Sequence, residues 1–370
     1  MEIRWHKHRL DFTFEAGTSR GVLTYKDTWY LIGTDKDLTF YGECGPLRGL
    51  SIDDRPDFES KLDLLCAHLN SRSIAAWNTE GFIESLIPEL NLYEFPSIIM
   101  GLETLHADYI HNGRKEIFKS NFYKYGTPIL INGLIWMNQP DHMYQQAIQK
   151  IQLGHTCIKL KVGAIDFEKE CQVLEKIREE YSESEVMLRL DANGAFGEKD
   201  VWEKLERLSE YDIHSIEQPV RQGQSELMRQ LCKDSPIEVA LDEELIGAYT
   251  TRQKETLLEE LNPPFIILKP TLLGGFASTA EWIEMAEYRG IEWWITSALE
   301  SNIGLNAIAQ FTSQYPVVLY QGLGTGQIYT NNFPSPLEPL KGFLHYQNKE
   351  VWDLTNLFPL EAAESLYLKN

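Results

Sequence analysis

Cys157-Ile158-Lys159-Leu160-Lys161 is a short apolar run that ends on a charge, and it is the first of five such runs. Asp191, Glu217, Asp242 and Lys269 close the runs VMLRLD, IHSIE, IEVALD and FIILK, at intervals of 30, 26, 25 and 27 positions. Runs of this length between polar stretches read as buried strands. The stretch after each has room for one helix and a turn. A repeated strand–helix unit of this size builds a parallel sheet, and seven or eight units close into a barrel. The C-terminal strand ends then share one mouth. The spacing therefore predicts an α/β, TIM-like barrel at whose mouth three carboxylates and two or three lysines converge.

Outward from this centre the same rhythm runs over 126–330. Helices are expected at 141–153, 166–181, 198–209, 223–233, 250–260, 276–289 and 303–313. Pro128-Ile129-Leu130-Ile131-Asn132 reads as the first barrel strand. Glu292–Ser297 reads as the seventh and Val317–Gln321 as the eighth, followed by Gly322-Leu323-Gly324-Thr325-Gly326. Residues 1–45 alternate apolar and polar, with a turn at Thr34–Asp37, and predict an antiparallel meander. Helical spacing follows at 57–69, 78–87 and 96–111, the last opened by Pro96. Strands then helices give a separate α+β capping domain, 1–125, with its boundary near Lys119–Lys124. The tail, 331–370, has several prolines and no helical period, and is expected to pack back on the cap and complete it. Ala16–Gly21, with Ser19 and Arg20 at its centre, joins the first two strands as a mobile loop. It reads either as an ordinary hairpin loop or as a substrate lid.

The 370 residues carry a net charge of -21, from 55 acidic and 34 basic side chains. That balance repels phosphate backbones and argues against nucleic acid. No apolar run reaches the length of a membrane span, and MEIRWHKHRLDF has no signal-peptide core. Five cysteines without a CxxC pair suggest neither a disulfide framework nor a zinc site. A cytoplasmic location and a small-molecule carboxylate substrate are expected, and a homo-oligomer is compatible with these features.

Any one strand-end acid could simply pair with a neighbouring cation or cap a helix. Three in successive units, flanked by lysines, instead make a site of hard oxygen ligands. Asp191, Glu217 and Asp242 suit Mg²⁺, with Mn²⁺ as an alternative, and the absence of histidine and cysteine argues against zinc. Lys159 and Lys161 share one face of their strand. Close together and buried, they are expected to lower each other's pKa and make a neutral amine available as a base. Lys269 lies across the site from them.

The segments KLK, LRLDANG, SIEQP, ALDE, ILKPTLLGG and TSALESNIG, in this order between 157 and 304, resemble the muconate-lactonizing branch of the enolase superfamily. Within it, Arg189 in RLDAN and the TSALES and GLGTG segments are most similar to the o-succinylbenzoate synthase family. The resemblance implies a (β/α)₇β barrel under an α+β cap, with Mg²⁺ on Asp191, Glu217 and Asp242. It implies Lys161 as the base and Lys269 as a cation over an enediolate, a pattern established for this superfamily. Lys159 would support the substrate carboxylate, and Asn193 and Gln218 would brace the metal ligands. Thr296, Ser297 and Gly322 would line the succinyl end of the pocket, Arg189 would pack around the site, and the Ser19–Arg20 loop would help choose the substrate. The activity implied is loss of water from a cyclohexadiene carboxylate in menaquinone biosynthesis. The alternatives are racemisation of N-succinylamino acids, epimerisation of dipeptides, or a non-catalytic binding barrel. Gln321–Thr325 contains no acid to hold a dipeptide's ammonium group, which favours a succinyl tail.

Overall fold

The first three strands are long because their alternation is long. In the computed structural model, which describes residues 1–18 and 21–357, β1 (Glu2–Thr18), β2 (Gly21–Asp35) and β3 (Leu38–Cys44) form an antiparallel sheet. Four helices follow: α1 (Phe58–Ser71), α2 (Ile74–Trp77), α3 (Phe82–Glu89) and α4 (Pro96–Ile110). Proline at the first turn of α4 lacks a donor that would have no partner there anyway. The α4 helix lies directly on β3. A Cβ on Gly42 would fall 1.8 Å from the Gly101 carbonyl oxygen, so side chains at this crossing would force the layers apart. Leu62, Leu65, Trp77, Leu102 and Leu105 fill the space between sheet and helices.

After α5 (Asn121–Tyr125) and β4 (Ile129–Leu130) the βα units begin. They run β5 (Gly133–Ile135), α6 (Pro140–Gln152), β6 (Cys157–Lys161), α7 (Phe167–Glu180), β7 (Met187–Asp191), α8 (Val201–Ser209) and β8 (Ile213–Glu217). Next come α9 (Ser225–Asp234), β9 (Val239–Leu241), α10 (Thr251–Leu261), β10 (Phe265–Leu268), α11 (Pro270–Leu273), α12 (Gly275–Arg289), β11 (Glu292–Ile295) and α13 (Asn302–Thr312). The strands β5 to β11 form one parallel sheet in sequence order. Residues such as Ile158, Leu160, Leu188, Leu190 and Ile216 point outward into the layer beneath the helices. With its cap, this is a (β/α)₇β barrel of the TIM type.

Two strands differ from expectation. Ile129–Leu130 pairs antiparallel with the tail hairpin, β12 (Leu337–Leu340) and β13 (Phe343–Tyr346), and it is Gly133–Ile135 that joins the barrel sheet. The handover occurs where Ile131 N donates to the Gly342 carbonyl and Asn132 N to that of Gln321. The eighth position is likewise reduced to two bridges, Ile131 with Gln321 and Thr296 with Gly322. Val317 N bonds back to the Tyr315 carbonyl in a turn instead of extending a ladder. The buried Gln321 amide takes over ladder bonds, accepting from Ile295 N at 2.8 Å and donating to the Leu319 carbonyl at 2.8 Å. In the tail, Phe333 and Leu357 pack with Tyr30, Ile32 and Tyr41 of the cap sheet. Among the described residues, no helix is long and apolar enough to cross a membrane.

Candidate active site

Strand register brings the site together. Lys161, Asp191 and Glu217 stand abreast at the ends of β6, β7 and β8. Asp242 and Lys269 follow immediately after β9 and β10. All five are buried, as is Lys159 one layer below. The Lys161 Nζ donates to Asp191 Oδ2 at 2.8 Å, and Lys159 Nζ lies 2.9 Å from the same oxygen. Lys159 also pairs with Glu217, and Lys269 with Asp242. The spacing-derived site residues therefore form one network of three carboxylates and three ammonium groups.

Among the described residues, no group of three or more His, Cys, Asp and Glu side chains forms a ready metal cage, because each of these carboxylates is turned onto a lysine. Their chemistry nevertheless fits a hard divalent cation. The donors are all oxygens on adjacent strand ends. The buried Glu217 Oε1 has no hydrogen-bond partner, and Lys269 Nζ is 3.6 Å from it. Burial, reinforced by the Asp191 charge, pushes the Glu217 carboxyl up to about 7. Burial acts on Asp191 in the same sense, but Lys159, Lys161 and Lys269 outweigh it and hold that carboxyl well below the usual range. The lowering expected for the Lys159–Lys161 pair is not found at Lys159, and Lys269 is raised as well. Burial does pull both down, but the carboxylates in contact outweigh it and raise them.

Two residues in left-handed backbone conformation brace this network: Asn193 at φ +45° and Gln218 at φ +42°. Asn193 Oδ1 accepts from Lys161 Nζ at 2.7 Å, and its Nδ2 donates to Glu243 at 3.1 Å. Gln218 Oε1 accepts from Asp242 N and Glu244 N, while its Nε2 donates to the Glu244 carboxylate. The sequence reading missed Glu243 and Glu244 as parts of the site. The signal for them was the pair of acids directly after Asp242.

Arg189 does not line the mouth cavity. It lies deeper in the barrel, in register with Lys159, as part of a floor beneath the mouth, with its guanidinium 3.9 Å over the Trp294 ring and Nη1 donating to the Tyr320 carbonyl. Thr296, Ser297 and Gly322 do line the cavity, which measures about 850 Å³. A Cβ on Gly322 would come within 2.5 Å of Thr296 Oγ1, so glycine keeps this wall closed on β11. The Ser297 and Thr325 hydroxyls bond at 2.6 Å. Ser19 and Arg20 lie outside the described residues. Their neighbours Thr18 and Gly21, together with Leu47 and Leu50, bring the cap to the cavity.

Residues 142–350 match the family model described as enolase C-terminal domain-like. The chain is 43% identical to an o-succinylbenzoate synthase from Desulfotalea psychrophila, over 93% of this chain and 98% of that protein. A hydrophobic dipeptide epimerase from Enterococcus faecalis is 27% identical, over 51% of this chain and 52% of its own length. Among solved structures, MenC from Desulfotalea psychrophila superposes with a TM-score of 0.84 at 40% identity, over 93% of this chain and 99% of that one. The L-Ala-D/L-Glu epimerase from Bacillus subtilis, solved with substrate, gives 0.80 at 20% identity, over 94% and 96%. That second likeness shows the fold alone.

Proposed function

The chain belongs to the enolase C-terminal domain-like family, and from that premise we propose that it is an o-succinylbenzoate synthase, a lyase of menaquinone biosynthesis. One observation carries the reading: the 43% identity extends over nearly the whole of both chains, cap included. The barrel network would serve any α-proton abstraction next to a carboxylate, so the cap and the pocket wall must choose the substrate. The acid-free Gln321–Thr325 segment leaves that wall suited to an anionic succinyl tail.

Asp191, Glu217 and Asp242 would hold a divalent cation, Mg²⁺ or Mn²⁺. When bound, it supplies positive charge against the substrate carboxylate and lowers the cost of negative charge developing there. Lys161 Nζ takes the proton alpha to that carboxylate. The same Nζ returns the proton to the departing hydroxyl on the same face, so that water leaves and the ring becomes aromatic. Lys269 stays protonated as a fixed positive charge on the opposite side. Lys159, paired with two of the carboxylates, helps hold the cluster in register. The five cysteines are free, in keeping with a reducing cytoplasm.

Lys161 and Lys269 converge on one carboxylate cluster, which also favours a second reading, racemisation of an N-succinylamino acid. The test is to supply 2-succinyl-6-hydroxy-2,4-cyclohexadiene-1-carboxylate and an N-succinylamino acid in turn, with Mg²⁺ and with EDTA. Metal-dependent formation of the aromatic product is expected. Efficient racemisation without that product would refute the assignment.

A further inference from the structure

The loop Thr296–Ser301 forms the distal wall of the cavity, and its shape is not self-supporting. Leu299 has φ +62°, a left-handed conformation that costs a leucine energy and persists only when its surroundings hold it. The barrel side contributes the Tyr329 hydroxyl, which donates to the Leu299 carbonyl at 2.7 Å, and the cap contributes two buried charges. Lys26, on β2 and itself lining the cavity, donates from Nζ to the Ala298 carbonyl at 3.2 Å and to that of Leu299 at 3.0 Å. Glu43, on β3, accepts from Ser301 N at 2.9 Å and Ser301 Oγ at 2.6 Å. It also accepts from Gly304 N at 2.9 Å, in the first turn of α13. Thr28 ties the two strands together by donating to Glu43 at 3.1 Å. Lys26 and Glu43 are both buried. A buried charge whose bonds go to the backbone of another domain fixes that backbone, because breaking the bonds would leave the charge unsolvated.

We propose that Lys26 and Glu43 are positioning residues, which set the wall that reads the succinyl end of the substrate by clamping Thr296–Ser301 from the cap. The metal ligands and Lys161 stand on other strands and do not depend on this clamp. The inference rests on the functional reading above, so its test separates the two.

Lys26→Met keeps the aliphatic stem and removes the ammonium. It should raise KM for the dehydration substrate about tenfold, the loss expected for a truncated buried hydrogen-bonding group, with kcat changed by less than about threefold. Calorimetric binding of o-succinylbenzoate should weaken by a similar factor, while binding of benzoate, which lacks the succinyl tail, should not. Hydrogen exchange at amides 297–304 should speed up in Lys26→Met and in Glu43→Gln, whatever the substrate. Thr28→Val, a milder change to the same clamp, covers the case in which Lys26→Met does not fold. A fall in kcat at constant KM, equal weakening for both ligands, or unchanged exchange would each overturn the assignment. If wild-type protein makes no aromatic product while exchange still speeds up, the functional reading fails and the clamp stands.

Discussion

The barrel rim and the joint between cap and barrel use buried charge in opposite ways. At the rim, ammonium groups face carboxylates: Lys159 and Lys161 on Asp191, and Lys269 on Asp242. At the joint, charges face backbone. Glu43 accepts from amides at the start of α13, and Glu103 on α4 accepts from Phe276 N and Ala277 N at the start of α12. A carboxylate on a helix N-terminus satisfies donors that have no partner within the helix and complements the helix dipole. Such a group is fully committed to holding the structure. Rim charges that pair mainly with one another, with Asn193 as a neutral neighbour of Lys161 and Asp191, can exchange partners when a cation or a substrate arrives. Position is thus fixed at the joint, and chemistry is kept for the rim.

The largest effect that follows is at Lys161. Lys161→Ala removes the proposed base without opening a core contact, and kcat should fall by roughly 10²–10⁴-fold or more. The thermal midpoint should move little. A variant that kept near-normal turnover would remove chemistry from this part of the rim. Glu217→Gln comes next. Exchanging a charged oxygen donor for an amide should weaken Mg²⁺ binding by at least about tenfold and abolish turnover. Calorimetry with MgCl₂ reads this directly, and unchanged affinity would show that Glu217 is not a ligand.

The rim was legible in the sequence because it is periodic. Each βα unit ends an apolar run on a polar residue, so Asp191, Glu217, Asp242 and Lys269 announce themselves by spacing. The joint has no such period. Lys26, Glu43 and Glu103 lie in strands and a helix whose patterns concern the cap's own core, and their partners are 173 to 273 positions away. No local rule connects them. The first and eighth strands were misplaced for a related reason. PILIN and VVLYQ both have strand composition, but their pairing is decided by the tail hairpin and by the inserted Gln321 amide. Asn193 and Gln218 were found through motif resemblance, whereas their left-handed backbone became visible only in the structure.

The joint gives a smaller and different effect. Gly275 allows Glu103 to reach the start of α12, since a Cβ there would lie 2.2 Å from the Glu103 carboxylate. Glu103→Ala should cost about 0.5–2 kcal/mol of stability, the usual range for a lost helix cap, with kcat unchanged. Chemical denaturation and steady-state rates measure the two separately. A loss of kcat comparable to that of the rim variants would break the division between position and chemistry.

The smallest effect lies on the strand that carries Glu217, at its opposite end. His214 is half-buried near the foot of β8, with its ring 5.1 Å from that of Phe265. Burial lowers its pKa to about 4, and the Arg189 charge adds to the effect. The folded chain therefore holds a neutral imidazole where the unfolded chain, at about 6.5, takes up a proton. A depressed folded-state pKa contributes stability that is fully present above about pH 6.5 and is lost as pH falls toward 4. His214→Gln should flatten the thermal midpoint between pH 6.5 and 4 relative to wild type and leave turnover at pH 8 unaltered. Parallel curves for the two proteins would mean that the imidazole titrates normally. A change in turnover would mean that the foot of β8 is coupled to its rim, and that the floor formed by Arg189 and Trp294 transmits between the two ends of the barrel instead of separating them.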